Sequence, residues 1–127
     1  MINYIDGFAL PIPKKHLEDY RKVAEKVAEV WKEHGALSYC EYVGDDLTLE
    51  GTRSFMDFLD ATSEDAIIFG WVEFESRESR DIANQRVAAD PRMTELLRPI
   101  TDPTKKIFDG RRMAYGGFKP LVSSFLR

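Results

Sequence analysis

Along residues 66–74, reading AIIFGWVEF, apolar side chains fall on both alternating faces. Ala66, Ile68, Gly70, Val72 and Phe74 share one side and Ile67, Phe69 and Trp71 the other, until Glu73 breaks the run. A strand of this kind has to be covered on both faces. Residues 2–10 alternate too, with Ile2, Tyr4, Asp6 and Phe8 on one face and Ile5, Gly7 and Ala9 on the other. They predict a first strand that Pro11 and Pro13 end. The period then lengthens: Leu17, Tyr20, Val23, Ala24, Val27, Val30 and Trp31 recur at three- and four-residue spacing, and Glu18, Lys22, Glu25, Lys26, Glu29 and Lys32 fall largely opposite. Pro13 opens this helix at no cost in hydrogen bonds, and Gly35 supplies the left-handed residue that stops it near Glu33 or His34.

Residues 37–43 predict a second strand. The long connection 44–65 carries the apolar patch Phe55, Met56, Phe58 and Leu59. Unstructured connections of this length are uncommon, so either the strand continues towards Thr52 as a hairpin arm or the patch forms a short helix over a neighbour. After the strand at 66–74, Ser76 caps a helix over 77–89 with Ile82, Ala83 and Val87 inward, and Asp90 and Pro91 open a short helix through Leu97. Residues 99–109 read as a loop, Asp109 and Gly110 as a turn, and 113–122 as a last strand whose Gly116 and Gly117 mark a bulge or a close backbone approach. Strand, helix, strand, strand, helix, strand is the α+β ferredoxin-like βαββαβ order, a four-stranded antiparallel sheet with two helices on one face, and it occupies residues 1–127 as one domain. Helices on one face leave the other bare, and a second copy of the sheet would cover it.

Composition narrows the class. Of 127 residues, 43% are hydrophobic and 31% charged, as in a folded globular protein, and the formal charge of −4 argues against general nucleic-acid binding. Six basic residues (Arg98, Lys105, Lys106, Arg111, Arg112, Lys119) outnumber Asp102 and Asp109 between positions 98 and 119, a cluster that suits a salt-bridged loop better than an anion site. Cys40 stands alone, which excludes an intrachain disulfide and fits a reducing compartment. With no secretory pattern at the start and no apolar span near 20 residues, a cytoplasmic protein without membrane contact is expected.

Several phrases carry a resemblance: Tyr4-Ile5-Asp6-Gly7-Phe8, Pro11-Ile12-Pro13-Lys14-Lys15, Trp31-Lys32-Glu33-His34-Gly35-Ala36-Leu37, Phe108-Asp109-Gly110-Arg111-Arg112-Met113 and Tyr115-Gly116-Gly117-Phe118. Over nearly the whole chain the sequence resembles the YbaA-like family of bacterial domains of unknown function, within the dimeric α/β-barrel superfamily. The resemblance implies a homodimer in which two ferredoxin-like sheets form one barrel. It supplies no catalytic residues, and superfamily relatives range from cofactor-free oxygenases and haem-degrading enzymes to lactone isomerases, so the fold alone does not set the activity.

Asp6 ranks first among candidate groups. A carboxylate sharing a strand face with Tyr4 and Phe8 can sit in an apolar cavity, acquire a raised pKa and act as a general base. The competing reading pairs it with a basic side chain such as Arg112. Tyr42, Trp71 and Tyr115, with Tyr4, would line a flat aromatic pocket in which Arg112 anchors a substrate oxygen, although aromatic residues on strands more often fill cores and interfaces. His16 and His34 lie five helical turns apart, about 27 Å, too far to share a metal, and His34 suits the helix C-terminus on dipole grounds alone. Cys40 reads as a small core residue, and Asp45, Asp46 and Glu50 lack calcium-loop spacing. No metal or cofactor is expected. Three functions stand: a small-molecule enzyme working by proton transfer or cofactor-free oxidation on an aromatic or enolisable compound; a ligand-binding or sensing module using the same cavity; and an interaction protein docking through residues 55–59.

Overall fold

The computed structural model describes residues 3–124. Strands β1 (Tyr4–Pro13), β2 (Ser38–Val43), β3 (Asp65–Phe74) and β4 (Ala114–Phe118) form one antiparallel sheet in the order β2-β3-β1-β4. Helices α1 (Leu17–Glu33), α2 (Phe55–Phe58), α3 (Arg77–Ala89) and α4 (Arg92–Thr101) complete the domain. This is the expected ferredoxin-like arrangement.

The register decides which side chains share a face. Phe8 lies opposite Gly70 and Tyr115, Leu10 opposite Ile68, and Gly70 opposite Glu41, so the even positions of β1 face the same way as Ala66, Ile68, Gly70, Val72 and Phe74. α1 and α4 pack on this side: Leu10, Ile12 and Ile68 join Tyr20, Val23 and Val27 from α1 and Ile100 from α4 in the main core. Each such aliphatic side chain taken out of water stabilises the fold by about 1.5–3 kcal/mol. α3 adds Ala83, packed with Val72 and Phe74, but Ile82 points to solvent, because adjacent helical residues stand about 100° apart and only one can face the sheet.

Several boundaries differ from the sequence reading. The predicted start at Ile2 lies outside the described residues, and β1 does not end at Leu10 but runs through both prolines. It pairs with β3 along its whole length and with β4 only over residues 5–9. The Lys14 amide bonds the Glu64 carbonyl at 2.8 Å, and strand alternation from there turns positions 11 and 13 away from β3, to the side where no strand pairs with them among the described residues. α4 continues past Leu97 and through Pro99, since its last turn buries Ile100 in the core and the Ile100 carbonyl accepts from the Phe108 amide at 3.0 Å. β4 ends at Phe118, short of Val122, and its register is unbroken, so its glycines make no bulge. At Gly117 a side chain would collide with Arg80 and the Tyr4 hydroxyl, which is the close approach that position requires.

α1 stops at Glu33, and Gly35 follows with φ +115°. Ser76 caps α3, its hydroxyl accepting from the Ser79 amide at 3.0 Å. The 44–65 connection resolves in favour of the short helix: α2 lies over the helix-free face of the sheet, where Leu59 is buried with Ala9 and Ile67. It covers only one end. Phe69, Tyr42 and Phe118 on that face stay exposed, as do Phe55 and Phe58 of α2, with Phe55 edge-on to Phe69 at 5.7 Å.

Candidate functional site

A cavity of about 200 Å³ lies between the sheet and helices α1 and α4. Its wall is apolar over most of its extent, with Phe8, Leu10, Trp31 and Ile100 among the lining, and two carboxyl groups interrupt it, Asp6 and Glu41.

Asp6 reaches the cavity because position 6 shares the helix-covered parity of β1, between Val72 on one side and Gly117 on the other. It is 1% exposed. Nε of Arg80, on α3, stands 3.2 Å from Oδ1, yet its N–H is not directed at the carboxylate, and neither Asp6 oxygen nor Arg80 Nε makes a hydrogen bond of ordinary geometry. Burial pushes the Asp6 carboxyl up from its usual range; the nearby Tyr115 hydroxyl and the Arg80 charge offset part of that shift. Arg80 is itself held by Tyr4, donating to its hydroxyl at 2.8 Å with the guanidinium 4.9 Å from the ring centre.

Glu41 sits one same-face step along the sheet and two strands across, on β2. The hydroxyls of Tyr20 and Tyr39 both donate to it, Tyr39 at 2.8 Å. Burial raises the Glu41 carboxyl, and the two tyrosines moderate the rise; burial and the Glu41 charge in turn hold both phenols un-ionised. The cavity thus has two unlike carboxyls: one capped by phenols, the other beside a guanidinium and a phenol but without a hydrogen bond of ordinary geometry.

The six residues singled out from sequence divide into separate places. Asp6 and Tyr115 meet at the cavity. Tyr42 and Trp71 do not join them: they stack on each other, ring centres 5.3 Å apart, on the opposite face of the sheet, because odd positions of β3 and even positions of β2 point away from the helices. Arg112 pairs with neither Asp6 nor the cavity; it bonds the Asp60 carbonyl at 3.0 Å and lies 3.4 Å from Asp65. Tyr4 binds Arg80 behind Asp6. His34 meets Asp90 at 2.8 Å, and His16 lies near Asp19. Cys40, half-buried, lies on the helix-free face opposite Trp71, not in the core. Among the described residues, no group of three or more His, Cys, Asp or Glu side chains gathers, and no helix is long and apolar enough to cross a membrane.

Residues 3–110 match the family described as proteins of unknown function, DUF1428. The uncharacterised protein YbaA of Escherichia coli strain K12 is 36% identical over 121 residues, covering 95% of this chain and 98% of the relative. The chain belongs to the DUF1428 family. Solved structures carry the DUF1428 chain's fold further afield. A NIPSNAP-family protein of unknown function from Agrobacterium tumefaciens superposes with a TM-score of 0.55 at 20% identity, covering 94% of this chain and 88% of the other. A dimeric ferredoxin-like protein from an uncultured marine organism does so with a TM-score of 0.56 at 12% identity, over 100% and 94% of the two chains.

For this DUF1428 domain, Arg80 and Glu41 are the site residues that sequence reasoning missed. Glu41 left a signal: in the strand SYCEYV a carboxylate shares parity with Tyr39 and Val43, the inward side. Arg80 left none, since within RESRDIANQRV it looks like any solvated helix charge.

Proposed function

We propose that this protein is a homodimeric small-molecule-binding domain whose helix-side cavity takes an apolar, neutral compound with an acidic O–H or C–H, and that Asp6 removes that proton. The observation that carries the reading is Asp6 itself: a carboxylate 1% exposed, on the wall of an apolar cavity, ion-paired with Arg80 at 3.2 Å but with no hydrogen bond of ordinary geometry to either oxygen. A base so desolvated has a proton affinity shifted towards neutral pH, where general-base catalysis is most efficient. In the step, the substrate O–H or C–H bond breaks, the Asp6 O–H bond forms, and the electron pair stays on the substrate as an enolate or phenolate. Arg80 beside Asp6 favours the charged form of the base before transfer. Return of the proton to a second atom is an isomerisation; capture of the anion by dioxygen as co-substrate is a cofactor-free oxygenation.

The helix-free face supports the dimer. Phe69, Tyr42 and Phe118 are large apolar side chains exposed together on that face of the sheet, and two solved neighbours of the same fold are dimeric ferredoxin-like proteins.

Solvent-deuterium incorporation into an aryl 1,3-dicarbonyl probe, followed by NMR, tests the chemistry. Exchange accelerated by the protein and reduced at least about 100-fold in Asp6→Asn is expected. Saturable binding with no exchange would replace catalysis by a sensing role, and exchange unaffected by the substitution would remove Asp6 from the mechanism.

A further inference from the structure

The two carboxyls lie at different ends of one cavity, and their placement says what a ligand must carry. Strand spacing of about 4.8 Å puts the Asp6 and Glu41 backbones about 9.6 Å apart across two strands and about 6.8 Å apart along them, roughly 12 Å in all. No lysine, arginine or histidine is among the residues that line the space between. The donors near Glu41 are spent on it, from Tyr20 and Tyr39, and Tyr115 lies beside Asp6. Each Glu41 oxygen accepts one phenol and retains a further lone pair. What the cavity offers a ligand is therefore hydrogen-bond acceptance at both ends, with aromatic and aliphatic walls between.

We infer that the ligand is an elongated, one- or two-ring compound bearing a hydrogen-bond donor at each end, one for Asp6 and one for Glu41, and bearing no carboxylate or phosphate. The inference rests on the reading of the cavity as a ligand site and goes beyond it in assigning Glu41 as the second anchor. A neutral hydroxyl meets an acceptor at either end. An anionic group would instead enter a mostly apolar cavity with no cation on its lining to receive it, and would be excluded by the cost of its desolvation. Hydrogen bonds to charged acceptors are the stronger kind, so the second donor should be felt as at least a tenfold gain in affinity.

Three probes decide it, titrated calorimetrically against the full chain: a biphenyl with a para hydroxyl at each end, the same biphenyl with one hydroxyl, and the biphenyl with one carboxylate. The bisphenol is expected to bind at least tenfold tighter than the monophenol, and the carboxylate at least tenfold more weakly than the monophenol. In Glu41→Gln, checked for native circular dichroism, the advantage of the bisphenol over the monophenol should shrink severalfold. Equal affinity of the two phenols for the wild-type protein overturns the second anchor and leaves the cavity reading standing. Carboxylate binding as tight as that of the monophenol overturns the exclusion of anions. Failure of all three probes to bind overturns both this inference and the cavity reading on which it rests.

Discussion

Replacing Asp6 by asparagine removes a buried ionisable group while keeping its shape, and the structure sets the sign of the effect. Burial raises the Asp6 carboxyl above 3.8 and the Glu41 carboxyl above 4.5 in the folded protein. The folded state then holds those protons more tightly than the unfolded chain does. The stabilisation is complete below the ordinary values and is lost as pH rises through the folded-state values. Across that window each carboxyl that is protonated when folded and ionised when unfolded lowers stability by about 1.4 kcal/mol per pH unit. Glu18, Glu33, Asp90, Asp102 and Asp109 act in the opposite sense, because hydrogen bonds and arginine, lysine or threonine partners lower them, so their contribution is lost only as pH falls below the usual carboxylate range. The wild-type protein should be most stable in mild acid and should weaken on the way to neutrality. Urea unfolding at fixed protomer concentration, from pH 4.5 to pH 8 in half-unit steps, measures this slope. Asp6→Asn should abolish the Asp6 share of the decline, flattening the curve and leaving only the Glu41 share. The Arg80 contact belongs to that share, because its attraction for Asp6 acts only while the carboxyl is ionised and so partly offsets the decline as pH rises. Parallel curves for the two proteins, or a wild-type stability that climbs between pH 5 and pH 7, would refute the assignment of Asp6 as a buried, proton-retaining carboxyl.

Two further substitutions probe the scaffold around the site. At Gly70 a Cβ would lie 2.6 Å from Cζ of Phe8 and 2.7 Å from the Cys40 carbonyl oxygen, so Gly70→Ala should lower stability by about 1–3 kcal/mol, read as a fall in melting temperature; an unchanged melting point would mean that β2 and Phe8 yield freely. Phe69→Asp places a charge in the middle of the helix-free face and should convert a dimer into monomers in sedimentation velocity, and an unshifted sedimentation coefficient would place the self-contact elsewhere.

Parity within a strand was legible from sequence, and parity between strands was not. The doubled apolar pattern of residues 66–74 located a strand buried on one side and aromatic on the other, and the position of Asp6 on the Tyr4 and Phe8 face followed from simple alternation. The register that sets Trp71 against Cys40 and so within stacking reach of Tyr42, and Asp6 against Gly117, is fixed by connections of many residues and by packing that no local pattern encodes. For that reason the aromatic group imagined around Asp6 comes apart into two faces. Arg112 was the wrong basic partner for a related reason: a 3₁₀ turn at Gly110–Arg112 aims it at Asp65, while α3 delivers Arg80 across the gap that Gly117 leaves open. Helix α4 shows the opposite lesson. Pro99 gave a sound local reason to stop at Leu97, and burial of Ile100 outweighed it.

The two prolines of β1 have a meaning outside the site. β1 is an inner strand for half its length and an outer one for the rest, since β4 starts alongside Ala9 and, among the described residues, no strand pairs with the stretch through Pro13 on that side. A free strand margin of this kind is a template on which another chain could add itself and begin an aggregate. Two of its outward-turned positions have no amide hydrogen to offer. Pro11 and Pro13 thereby make that margin a poor template for growth edge to edge.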